Sequence, residues 1–75
     1  MSEGRKFLEG LRARRKKAGL TQPKLAELVG TSRQSILQWE TGDYWPSASW
    51  LPKLARACGC SIEELYYPPE EEGQP

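Results

Sequence analysis

Two glycine-ended patterns in tandem, TQPKLAELVG at 21–30 and TSRQSILQWETG at 31–42, constrain this chain more than any other feature. In the first, Thr21 is a good helix N-cap and Pro23 falls in the first turn, where its missing N–H costs nothing. Leu25, Leu28 and Val29 follow at i, i+3 and i+4, which predicts a buried stripe, and Gly30 suits the left-handed residue that ends a helix. Only Thr31 intervenes before Ser32, a second N-cap. Beyond it Ile36 and Trp39 turn to one face, while Arg33 and Leu37, and Gln34 and Gln38, pair at i, i+4 on other faces. The expected helices are 21–29 and 32–41. Helices this short are unstable alone, so the corner between them must be held by packing.

The remaining chain supplies that packing. A helix is expected over 5–17, with Phe7, Leu8, Leu11 and Ala18 as its apolar stripe, Gly19 as its stop and Arg12, Arg14, Lys16 and Lys17 pointing outward. Gly10 inside it costs about 1 kcal/mol relative to alanine. GDYWP, 42–46, reads as a loop, and Leu51, Leu54, Ala55 and Cys58 mark a further helix that Gly59 ends. A cap at Ser47 would put Pro52 where it distorts this helix. A cap at Ser49 makes it the third helical residue, which favours 49–58. SIEELYY then opens with a capping box, Ser61 with Glu64, and stops at Pro68 and Pro69, giving a fifth helix over 61–67. The expectation is an all-α five-helix bundle in one domain, 1–67, followed by a disordered acidic tail, 68–75, that has no apolar residue. Seventy-five residues allow one core, because a chain of this size hides only about 60% of its unfolded surface.

Composition removes most other classes. No apolar run nears the roughly 20 residues of a membrane span, and MSEGRKF lacks the apolar region of a secretory signal, so a cytoplasmic protein is expected. The chain has no histidine and two cysteines. Cys58 and Cys60 are too close in sequence for an unstrained disulfide and too few for a four-ligand zinc site, so neither metal nor cofactor is implied. They read as reduced thiols, Cys58 in the core. No catalytic pair, phosphate loop or roomy pocket is visible, which argues against an enzyme and gives no sign of a small-molecule ligand. The overall charge of +1 conceals an asymmetry, since residues 1–33 carry +6 and residues 34–75 carry −5. A basic end suits a polyanion or is plain solvated surface.

The two central patterns have the helix-turn-helix layout. With Gly19, Thr21-Gln22, Leu25-Ala26, Gly30, Ser32, Ile36, Glu40, Gly42, Pro46, Leu51, Leu54-Ala55 and Leu65 in this order, residues 7–66 resemble the lambda-repressor-like DNA-binding domains of phage repressors, Cro proteins and Xre-type regulators. That resemblance implies a regulator of transcription, usually a repressor, which binds double-stranded DNA as a homodimer and lays its third helix in the major groove of a palindromic operator. Arg33, Gln34 and Gln38 would then face base edges, as arginine suits guanine and glutamine suits adenine. Leu37 admits two readings, contact with a thymine methyl or packing on a neighbour.

Other roles follow from the resemblance. Gln22 would bond a phosphate and brace Arg33. Ser32, Ser35 and Thr41 match positions that touch phosphates or sugars, and Lys16, Lys17 and Arg12 are candidates for phosphate on the first helix. Arg15 and Glu40 match a structural ion pair. Asp43, Tyr44 and Trp45 stand where relatives often carry basic residues. The rival is a protein-interaction module on the same bundle, an antitoxin or adaptor. Helix 61–67, with Tyr66 and Tyr67, is the preferred dimer surface, while Trp45 and Trp50 read first as packing residues and second as anchors for a partner.

Overall fold

The computed structural model describes residues 8–67. It contains four α-helices, α1 (Leu11–Lys17), α2 (Gln22–Val29), α3 (Arg33–Thr41) and α4 (Trp50–Cys58), then a 3-10 turn over Glu63–Leu65. No strand occurs among the described residues. The caps are those the sequence predicts for the central pair. Thr21 accepts from the Lys24 N–H at 3.2 Å, and Ser32 accepts from the Ser35 N–H at 3.1 Å. α4 starts just after Ser49 with Pro52 harmless in its first turn, although the Ser49 hydroxyl bonds Ser47 rather than capping.

The helices close over one core. Leu8, Leu11, Leu25, Ile36, Leu54 and Leu65 are all but fully buried, one or more from almost every element, and Pro46 seals the loop end. Burial of each leucine or isoleucine contributes about 1.5–3 kcal/mol, which a chain so short cannot forgo. Trp39 of α3 lies with its ring centroid 5.4 Å from that of Trp50 at the head of α4. That aromatic pair ties α3 to the scaffold beyond what area alone supplies.

Several expectations are corrected. α1 begins at Leu11, not near residue 5, and Leu8–Gly10 forms a turn; Arg5, Lys6 and Phe7 lie outside the described residues. Gly10 is no weak point inside a helix. Its N–H donates to the Leu65 carbonyl at 2.9 Å, and a Cβ there would sit 2.2 Å from the Tyr67 carbonyl oxygen and 2.3 Å from that of Glu64. Only glycine lets the two ends of the domain approach so closely.

The fifth helix is also shorter than expected. Its capping box forms, with the Ser61 N–H on Glu64 Oε1 at 2.9 Å and the Glu64 N–H on Ser61 Oγ at 3.1 Å, yet the chain makes only three-residue hydrogen bonds to Tyr66. Pro68 has no N–H to extend the ladder and disfavours helical geometry at Tyr67. The first of those bonds, that from the Ser61 N–H, is also the main reason the exposed Glu64 carboxyl titrates below its ordinary range. Leu28, expected inside, is 53% exposed, and Ala18 is exposed as well. Arg14, expected outward, is largely covered, with Nη1 3.9 Å from Glu64 Oε2 and Nε donating to the Glu64 carbonyl. The acidic segment 68–75 lies outside the described residues.

Candidate nucleic-acid interface

The corner between α2 and α3 is built by backbone. Gly30 takes φ 87°, a conformation that costs an L-residue strain, and its N–H and that of Thr31 both reach the Ala26 carbonyl at 2.9 Å. α2 ends in this closed turn, and three residues later Ser32 starts α3. Leu25, Ala26 and Val29 of α2 face Ile36 and Trp39 of α3 in the common core, so the opposite side of α3 is what the corner presents to solvent.

On that side Arg33 and Gln34 are exposed, and Leu37 and Gln38 are half-buried one turn further on. Spacings of three and four put Gln34, Leu37, Gln38 and Thr41 on one strip with Arg33 at its leading edge. Leu37 keeps part of its apolar side chain open on this strip. No side chain of the described residues makes a hydrogen bond or ion pair with Arg33 or Gln34, so both have their full donor sets available. Arginine offers a planar fork and glutamine a donor beside an acceptor, the two chemistries that match the paired edges of guanine and adenine.

Behind this face lies a buried polar brace. Arg15 of α1 donates through Nε to Glu40 Oε2 at 2.6 Å and through Nη2 to Glu40 Oε1 at 3.2 Å, while Nη1 reaches the Leu20 carbonyl at 2.8 Å. Both residues are buried, so the pair is dry and its fork geometry is fully used. Gln22 adds a third donor, Nε2 to Glu40 Oε1 at 3.1 Å. The expected brace from Gln22 to Arg33 is not made: the Gln22 amide nitrogen is turned to the Glu40 carboxylate, and Arg33, which can only donate, makes no bond to the Gln22 oxygen. Glu40 thereby joins α1, the start of α2 and the last turn of α3.

The hydroxyls around α3 are partly committed. Ser32 and Ser35 share one hydrogen bond between their Oγ atoms at 3.2 Å, which leaves one hydroxyl hydrogen for an outside acceptor. Thr41 gives its only hydrogen to the Gln38 carbonyl at 3.3 Å, so it meets a phosphate only by rotating away. Arg12, Lys16 and Lys17 are exposed along α1, and Arg14 is spoken for by Glu64. Asp43, Tyr44 and Trp45 are exposed in the α3–α4 loop, where Trp45 leans on Tyr66 with 5.9 Å between ring centroids.

Cys58 and Cys60 are both free thiols. Burial, with Cys60 next to it, pushes the Cys58 thiol up to about 11, and burial raises Cys60 too. Neither is an activated nucleophile. Among the described residues no group of three histidine, cysteine or acidic side chains is placed to hold a metal, and no helix is long and apolar enough to cross a membrane.

A helix-turn-helix family model matches residues 11–65, which is most of the chain and takes in every element described above. The chain belongs to the helix-turn-helix family. Within it, the chain is 46% identical over 57 residues to an uncharacterized HTH-type transcriptional regulator of Methanothermobacter thermautotrophicus, covering 75% of this chain and 83% of that one. It is 40% identical over 57 residues to repressor protein C2 of Salmonella phage P22, covering 76% of this chain but 26% of the repressor. The crystal structure of the P22 c2 repressor with a synthetic operator superposes with a TM-score of 0.69 at 40% identity, over 73% of this chain and 83% of that one. The solution structure of the same repressor's DNA-binding domain gives 0.74 at 37% identity, over 87% and 84%. The fold is therefore a helix-turn-helix domain of the lambda-repressor-like kind.

Proposed function

We propose that this protein is a sequence-specific, double-stranded-DNA-binding regulator of transcription, acting as a repressor. The observation that carries the reading is the open strip of α3, with Arg33 and Gln34 free at its leading turn, on a scaffold that superposes on a repressor solved with its operator. In this reading α3 enters the major groove, about 12 Å wide, and Arg33, Gln34 and Gln38 meet base edges with Leu37 against an apolar one. The free hydroxyl of the Ser32–Ser35 pair, the second Nε2–H of Gln22 and the α1 cations Arg12, Lys16 and Lys17 fix the register on the sugar-phosphate backbone. The dipole and the open Gln22 N–H at the start of α2 favour a phosphate there.

Residues 1–67 act as one DNA-binding unit and work as a homodimer, two copies of α3 lying about 34 Å apart on a palindromic site and occluding a promoter. The aromatic surface of Trp45, Tyr66 and Tyr67 is the proposed dimer contact. Such a regulator works in the cytoplasm, needs no cofactor and catalyses no reaction. The test is selection from a random duplex pool. Enrichment of paired, twofold-related half-sites one helical turn apart supports the reading; recovery of unenriched sequence refutes it.

A further inference from the structure

Between α2 and α4 lies a groove of about 440 Å³, lined by Leu28, Val29, Lys53, Arg56 and Ala57. It shares no residue with the candidate nucleic-acid interface. We propose that this groove docks a short acidic amphipathic segment of a partner protein, with an apolar side chain on Leu28, Val29 and Ala57 and carboxylates against Lys53 and Arg56.

Three observations select that occupant. First, Leu28 puts a large apolar side chain, 53% exposed, at a concave site whose volume falls in the range of ligand-binding clefts, roughly 300–1,000 Å³. Secondly, the half of the chain that begins at residue 34 contains only two basic residues, Lys53 and Arg56, and both line this groove one helical turn apart. No acidic side chain among the described residues pairs with either. Lys53 is steadied by its Nζ, 5.0 Å from the centre of the Trp50 ring, and Arg56 offers an open fork for a carboxylate. Thirdly, charge excludes the simpler occupants. A second copy meeting this patch about a twofold axis would set Lys53 and Arg56 against their own images, which repel. A duplex offers phosphates to the cations but nothing to Leu28 and Ala57. An apolar floor with a basic rim is complementary to a helix that carries leucine-type anchors flanked by acidic residues.

This goes beyond the DNA-binding reading and does not depend on it. The probe is a synthetic peptide of roughly 14 residues with leucines at i, i+3, i+4 and i+7 and glutamates on either side, set beside a twin with lysine in place of glutamate. Amide chemical shifts of the full chain, labelled with 15N, are followed during titration. The expected result is saturable shifts centred on Leu28, Val29 and Ala57 with the glutamate peptide and at least tenfold weaker binding of the twin. Leu28→Glu should abolish binding. The double variant Lys53→Glu, Arg56→Glu should reverse the preference between the two peptides, with its thermal melt unchanged because both side chains are exposed. Equal binding of both peptides, shifts centred elsewhere, or loss of duplex affinity in the double variant with peptide binding intact would each overturn the proposal.

Discussion

Replacing Glu40 with alanine removes the carboxylate on which three helices converge. Arg15 would keep its bond to the Leu20 carbonyl but leave Nε and Nη2 buried without partners, and Gln22 would lose its acceptor. Removing one member of a buried, hydrogen-bonded ion pair costs about 3–5 kcal/mol. A chain of this length has a total stability of only about 4–11 kcal/mol, so the variant should lose between about a quarter and all of it. At about 4–8 °C per kcal/mol, even the lower cost drops Tm by about 12–24 °C.

Glu40→Gln provides a gentler version. Its carbonyl still accepts one donor, but its amide opposes the donors of Arg15, for a cost on the order of 2 kcal/mol. Thermal and urea melts followed by circular dichroism measure both. The double replacement Arg15→Met, Glu40→Leu should recover most of the loss, because matched apolar groups leave no orphaned charge. If Glu40→Ala melts within about 0.5 kcal/mol of the parent, an ordinary surface effect, the brace is not what joins these helices.

Gly10→Ala should destabilise by about 1–3 kcal/mol or more, since its Cβ meets carbonyl oxygens of Glu64 and Tyr67 that belong to backbone and cannot swing aside. Urea midpoints check this, and an unchanged midpoint would contradict the close approach. For Cys58, whose thiol is raised from 9.0 to about 11, the unfolded chain ionises first as pH rises. Its contribution is intact below pH 9.0 and is lost as pH climbs through about 11, so Tm should fall across that window and fall less in Cys58→Val. Lys16→Ala should weaken binding to all duplexes alike and lower the slope of log K against log salt by about 0.9, in fluorescence anisotropy at several salt concentrations.

Most of the local architecture was legible. The caps at Thr21 and Ser32 and the capping box of Ser61 and Glu64 are contacts three residues apart, and sequence spacing shows them directly. The harder features join distant positions. Gly10 owes its identity to Glu64 and Tyr67, and nothing in the neighbouring residues distinguishes that from a flexible point within a helix. Arg14 looked outward because charge on a helix usually is; Glu64, 50 residues on, covers it.

Leu28 fits the apolar stripe of α2, yet a stripe spans a wide arc, and a bundle with so few helices leaves part of that arc uncovered. The strip proposed to read bases was legible as residue types at helical spacing. Which partner Gln22 takes was not, for its amide can serve a phosphate, Arg33 or Glu40 with equal chemistry, and only the fold places the carboxylate 3.1 Å away.

The central claim is that the open face of α3 reads bases. Gln34→Ala tests it most directly, because the side chain is neutral, exposed and not bonded to the rest of the domain. Its affinity is measured at one salt concentration on the duplex selected from the random pool and on a scrambled duplex of the same length. A loss of about 1–3 kcal/mol on the selected duplex, with scrambled binding unchanged, is the predicted result. Equal losses on both duplexes, or none on either, would contradict the account.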